Sequence, residues 1–298
     1  MALASADPVA VPSPQHVAAG VTRLGVVRYL NTRPLIAGLE RLQGLRMRGE
    51  VPAELIGTLE RGETDAALCS SIDFQRSESD LVILPVGLLG CDGPTMTVKI
   101  FSRVPLDRLE RLHADADSHT SRVLAQLVLG HRNGRMPTLV DGLPAAGDAR
   151  HAEAMLLIGD KVVLHAPEAR EFPHTLDLGQ AWKAWTGLPF TFACWMAPRP
   201  RDAAAHARLR TLAQLLDHQR RRNAMRREAL AAIEARAHAW PVPQAHRYLN
   251  ELLRFEWSDR QREGLESFWK RAFEAGLLER HRPLALLESA CLPAPACA

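Results

Sequence analysis

Among its 298 residues the chain has no CxxC pair, no glycine-rich phosphate loop, no GxGxxG after a strand, no HExxH and no GxSxG. These absences remove the usual sequence marks of zinc knuckles, nucleotide sites, zinc hydrolases and serine hydrolases. The twelve histidines have no ligand spacing, so neither a metal nor a cofactor is expected. Five cysteines are an odd number and suit core or tail thiols better than a disulfide framework. Charge of one sign is not in excess: a net +3 is too small to argue for nucleic acid, yet it tolerates a small anionic ligand. The run Gln219-Arg220-Arg221-Arg222, with Arg226 and Arg227, lacks interleaved aromatics and is flanked by acidic residues, so it reads as a solvated face. The longest apolar run, Leu81 to Gly90, is about half of what a bilayer requires, and Pro85 interrupts it; no membrane partner is expected. The first twenty residues have neither a basic n-region nor a long apolar core, and they read as a flexible leader on a cytoplasmic protein.

What is present is an ordinary globular composition, 47% hydrophobic and 24% charged, in a chain long enough for two lobes. Its organising stretch is Leu24 to Leu35. Adjacent valines read as a buried strand, Asn31 and Thr32 as N-cap types, and Pro34 as a first-turn residue of a helix over about 34–43. Such a corner gathers polar side chains and free amides at a strand's carboxyl end, where an anion is favoured. The same residues also serve as a plain helix cap.

The pattern then repeats. A short helix closes at Gly62, Ala66 to Cys69 reads as a second buried strand, and Ser70-Ser71-Ile72 forms another strand-to-helix corner. Leu81 to Val86 reads as a third strand, with turn signals from Gly87 to Gly93. Thr95 to Ser102 alternates as a strand and leaves Thr97 free to point between strand ends. A second α/β unit begins near residue 104. In it Ser118-His119-Thr120-Ser121 caps a helix from Arg122 to His131, and Met155 to Asp160 is a buried strand ending in a Gly-Asp turn. Asp177 to Trp195 reads as a short helix, a Thr-Gly-Leu-Pro turn and a returning strand whose three tryptophans pack core and hinge. Helices fill 201–237, 243–254 and 258–276, and the tail after Pro283 is expected to be loose.

Six segments together resemble a known family: Tyr29-Leu-Asn-Thr-Arg-Pro-Leu35, Ser70-Ser71-Ile72, Cys91-Asp-Gly-Pro-Thr-Met-Thr97, Phe101 to Leu106, Leu157-Ile-Gly-Asp160 and Leu178 to Phe190. In order and in kind they are similar to the chorismate dehydratases of the futalosine route to menaquinone. The resemblance implies an α/β, two-lobed type II periplasmic-binding-protein-like fold with a ligand cleft between the lobes. It divides the chain into lobe I (21–102 and 193–298, with the C-terminal helices) and lobe II (103–192), with crossings near 101–104 and 190–194.

The implied activity is cofactor-free loss of water from chorismate to give 3-[(1-carboxyvinyl)oxy]benzoate. By the same resemblance Asn31 and Thr97 are the catalytic residues, and Ser70, Ser71, Ser118, Thr120 and Ser121 bind the substrate carboxylates. Thr97 stands where the family commonly has serine, and Arg28 where a smaller or neutral residue is usual. Two other readings belong beside this one: a non-catalytic small-anion-binding protein on the same fold, and the related 1,4-dihydroxy-6-naphthoate synthase. The expected partner is the small-molecule substrate, and a homodimer is compatible with the sequence.

Overall fold

The computed structural model describes residues 20–144 and 152–287. Nearly all of the expected leader, Cys291 and Cys297 lie outside the described residues. The first part of the chain forms β1 (Thr22–Val27), α1 (Arg33–Ile36), β2 (Leu45–Glu50), α2 (Pro52–Glu60), β3 (Ala66–Ser70), α3 (Asp73–Arg76) and β4 (Leu81–Cys91). There follow β5 (Val98–Ser102), β6 (Arg111–Ala114), α4 (His119–Asn133), β7 (Thr138–Asp141), β8 (Ala154–Ile158), α5 (Asp160–Leu164), β9 (His174–Asp177) and α6 (Leu178–Thr186). The last part is β10 (Phe190–Pro198), α7 (Ala203–Ala224), α8 (Arg227–Ala237), α9 (Val242–Arg247), a π-helical turn at Tyr248–Leu252, β11 (Leu253–Arg254) and α10 (Asp259–Glu274).

Two sheets make two lobes. The first runs β11-β4-β10-β3-β1-β2 and the second β7-β6-β8-β5-β9. In the first, β1, β2 and β3 are parallel while β10 lies antiparallel between β3 and β4. The valine-rich stretch works as expected, with Leu24 to Val27 buried. Strand β2 had not been expected. Among the described residues it is the outer strand, paired with β1, so Arg46, Arg48 and Glu50 keep their charges near solvent and hide the usual strand pattern. Strand β4 runs through Gly87 and Gly90, where a turn was expected, because β10 and β11 pair with it as far as Cys91. The helix expected over 34–43 breaks after one turn, where Gly38 takes a left-handed φ of 96° that few other residues adopt.

Strand β5 pairs with β8 and β9, so the chain changes sheets between Cys91 and Val98 and returns between Asp177 and Phe190. Both crossings come earlier than 101–104 and 190–194. One carboxylate ties them together. Asp177 accepts from the backbone N–H of Thr95 at 3.0 Å and of Met96 at 2.8 Å, and it caps α6 by accepting from Gln180 N–H at 3.1 Å. Met96 is held there at φ 65°, a conformation unusual for a non-glycine residue, and this sets the direction in which Thr97 enters the cleft.

The C-terminal helices pack on the first sheet, with α7 against β4 and α10 against β10. Trp269 of α10 stacks on Phe74 at 5.1 Å and donates from Nε1 to the Ser71 carbonyl at 3.1 Å, bracing the corner after β3. Trp182 and Trp195 are fully buried, in keeping with their expected packing role. The basic run on α7 is only partly a solvated face. Arg221 and Arg222 are exposed, but Gln219 is buried against the Ala37 carbonyl and Arg220 reaches the Val86 carbonyl at 3.0 Å. The tail is also better ordered than expected as far as it is described: Ala285 and Leu287 hydrogen-bond both backbone groups of Ile83 at 2.8 Å. Among the described residues no helix is long and apolar enough to cross a membrane.

Candidate active site

Between the sheets lies a cleft lined by residues of both lobes. Asn31, Ser70 and Tyr248 face it from the first lobe and its helices, and Thr97, Ser118 and Ser121 from the second. No Asp, Glu, His, Lys or Arg is among the described residues that line it. Its polar groups are hydroxyls and one amide on an apolar wall that includes Val27, Leu89, Ile158 and Phe192.

Asn31 sits in the turn Leu30–Thr32 after β1. Neither Asn31 nor Thr32 caps α1, and a four-residue helix carries little dipole, so the anion argument made for this corner from its sequence does not hold. Thr32 instead hydrogen-bonds the carbonyls of Val27 (2.8 Å) and Tyr29 (2.9 Å) and closes the turn on itself. The Asn31 side chain lies near the Tyr248 hydroxyl, while its buried Oδ1 has no partner among the described residues. The opposite wall does follow the capping logic. Ser118 accepts from Ser121 N–H at 3.2 Å at the start of α4, and the two hydroxyls lie 2.9 Å apart. The orphan amides of a helix of this length favour negative charge at that end.

Ser71 and Thr120 are both buried but lie behind the cleft and do not line it. Ser71 donates to the Thr191 carbonyl at 2.8 Å, and the Thr120 hydroxyl accepts from Ile72 N–H at 3.2 Å. Together they join the corner after β3 to the start of α4, one element from each lobe. His119 turns away as well, with Nδ1 2.7 Å from Asp73 Oδ1. Burial pushes the Asp73 carboxyl above its ordinary value, and His119 opposes that rise. At the cleft mouth Tyr29 donates to Asp117 at 2.8 Å, and Lys161 binds Asp117 at 2.7 Å and Asp115 at 2.8 Å. The Tyr29 ring lies over Gly159, where a Cβ would come within 3.1 Å of it. Burial alone would lower the Lys161 pKa, but the two carboxylates hold it above its ordinary value.

Arg28 is exposed and lies along Gly49 of β2, outside the lining. Cys69, Cys91 and Cys194 are buried thiols, and burial pushes Cys91 up to about 12, which keeps it protonated and unreactive at neutral pH. Among the described residues no group of three His, Cys, Asp or Glu is placed to hold a metal.

Tyr248 was not singled out from the sequence. A signal was present: the chain has two tyrosines, both in the tripeptide Tyr-Leu-Asn, and both line the cleft. Its hydroxyl is 2.6 Å from Thr97 Oγ1 and its ring stacks on Trp240 at 5.1 Å.

Two lobes, a double crossing between their sheets and a cleft between them define a periplasmic-binding-protein-like fold. Solved structures agree at the level of fold. The chain is similar to the periplasmic aliphatic sulphonate binding protein SsuA from Escherichia coli, at 14% identity and a TM-score of 0.60 over 89% of this chain and 95% of that one. Protein AF1704 from Archaeoglobus fulgidus gives 14% identity and a TM-score of 0.58, covering 86% and 98%. The Candida albicans CA3427 product, described as having the generic periplasmic binding protein fold, gives 12% and 0.57, covering 89% and 92%. The sequence narrows this further. The family model described as menaquinone biosynthesis matches residues 22–274, and the chain is 31% identical over 265 residues to the chorismate dehydratase of Thermus thermophilus, covering 82% of this chain and 93% of that protein. The chain belongs to this menaquinone-biosynthesis family.

Proposed function

We propose that this protein is a lyase that removes water from chorismate to give 3-[(1-carboxyvinyl)oxy]benzoate. The observation that carries the reading is the cleft itself: small hydroxyls and one amide, a capped helix start, and no acid–base side chain among the described lining residues. Similarity to the Thermus thermophilus chorismate dehydratase supports the choice of substrate. Chorismate is a dianion whose dehydration forms an aromatic ring, so the reaction has a strong driving force of its own. The protein then chiefly has to hold one conformer and stabilise moving charge.

In this reading Ser118 and Ser121, with the first amides of α4, hold one carboxylate, and Ser70 contributes from the facing lobe. Ser71 and Thr120 keep the two corners in register. A carboxylate of the substrate takes the ring proton beside the ether oxygen, Asn31 orients that carboxylate, and Thr97 hydrogen-bonds the ligand. The reaction is placed in the cytoplasm, which cell fractionation tests, and a homodimer is compatible with this reading. Purified protein incubated with chorismate, without added metal or nucleotide, is expected to yield a product lighter by one water with an aromatic absorbance. Unchanged mass indicates rearrangement or binding alone, and loss of pyruvate indicates a different lyase; either result rejects the proposal.

A further inference from the structure

The proposed chemistry accounts for the proton that leaves carbon but not for the oxygen that leaves with it. Three groups at one end of the cleft are arranged for that oxygen. Tyr248 is 1% exposed yet reaches the cleft lining, where its hydroxyl lies 2.6 Å from Thr97 Oγ1 and Asn31 lines the same cleft. Its ring is clamped against Trp240, and its backbone lies in a π-helical turn, an irregularity frequent at functional positions.

Counting protons shows what is left over. A phenol and a threonine hydroxyl bring one donor hydrogen each and two acceptor sites each. Their mutual bond uses one hydrogen, and the Asn31 amide can serve as a further donor to the phenol oxygen. Among the described residues one hydroxyl hydrogen therefore has no partner, while the buried Asn31 Oδ1 still lacks a donor. A leaving ring hydroxyl satisfies both needs, because its hydrogen suits Asn31 Oδ1 and its oxygen accepts the spare hydrogen.

Resting on the dehydratase reading, we infer that Tyr248 and Thr97 form a paired hydroxyl donor to the departing oxygen of the substrate. The electron pair of the broken C–H bond becomes the new ring double bond, and the C–O pair leaves with the oxygen. That oxygen keeps its own hydrogen and takes back the proton first held by the substrate carboxylate, departing as water with the protein unchanged. Tyr248 donates a hydrogen bond throughout and never ionises, in keeping with burial, which pushes its phenol well above the ordinary value against the opposing influence of Thr97 and Asn31.

The test is Tyr248→Phe, which keeps the ring on Trp240 and removes only the hydroxyl. The expected result is a kcat lower by about 100-fold, the usual loss for one transition-state donor, with KM changed by no more than a few-fold. Binding of the dehydrated product, which lacks the departing oxygen, is expected to match wild type. Unchanged kcat overturns the inference, and so does a loss of product affinity in step with kcat, which marks a merely structural role. If Tyr248→Phe does not fold, p-aminophenylalanine at position 248 retains a donor there. Turnover close to wild type then supports the inference, and a folded but inactive protein overturns it. Failure of the wild-type protein to dehydrate chorismate rejects the functional reading and this inference with it, whereas the other outcomes leave that reading standing.

Discussion

On one side of the cleft Ser118 and Ser121 stand at the start of a fifteen-residue helix that they cap themselves. On the other, Asn31 and Ser70 follow strands and precede helices of only four residues with no side-chain cap. Both walls offer small polar groups, but a helix of four turns concentrates partial positive charge at its start and a single turn does not. The second-lobe wall is thus suited to holding a carboxylate, wherever on the ligand it lies. The first-lobe wall works through individual side chains whose direction is set by neighbours: Thr32 closing its turn, Trp269 bracing the Ser71 carbonyl, Trp240 stacking on Tyr248. In the proposed reaction the helix start of the second lobe serves binding, while Asn31 and Tyr248 of the first lobe, together with Thr97 across the cleft, serve the chemistry.

The largest expected effect tests the chemical wall. Asn31→Ala is expected to lower kcat by about 10²–10³-fold, as for loss of an oriented polar group in a dry site, with the fold intact by circular dichroism. Full turnover by that variant removes Asn31 from the mechanism. Next comes the tie at the cleft mouth. Lys161→Met leaves Asp115, 3% exposed, beside Asp117 without their cation. Urea unfolding is expected to show a loss of about 2 kcal/mol, below the value for a fully buried pair because a third of the lysine is exposed. Since the folded pKa of Lys161 is raised, its contribution is fully present below the ordinary lysine value of 10.5 and is lost only as pH rises through the higher folded value. The deficit of the variant is therefore constant through neutral pH, and a deficit that vanished there would contradict the pairing.

A smaller effect probes the binding wall. Ser118→Ala is expected to raise KM several-fold with kcat nearly kept, and to cost about 1 kcal/mol of stability through the lost cap. A fall in kcat with KM unchanged would reverse the roles assigned to the two walls. The smallest effect sharpens the boundary of the site. Because Arg28 lies over Gly49 and away from the lining, Arg28→Ala is expected to leave both kinetic constants unchanged in a steady-state assay.

Much of this architecture is legible in the residues. The valine run of β1, the Ser118 cap, the buried strand ending at Gly159 and the helix opened by Asp177 all rest on contacts within a few residues of one another. Local chemistry decides them, and the sequence displays local chemistry directly. What was misjudged depended on distant partners. Strand β2 is carried by its pairing with β1, β4 passes its glycines because two strands flank it, and residues 285–287 are ordered by Ile83.

The candidate site divides along the same line. By itself the sequence determined the two α/β units, the helix cap at Ser118 and the presence of Asn31 and Thr97 at strand ends. Only the tertiary structure decided that Ser71 and Thr120 tie the lobes rather than line the cleft, that His119 pairs with Asp73, and that Tyr248 meets Thr97 across 151 positions of chain. The reason is physical: a cap or a turn is satisfied by its own neighbours, whereas a cleft is defined by which polar groups remain unsatisfied after all the distant ones have found partners.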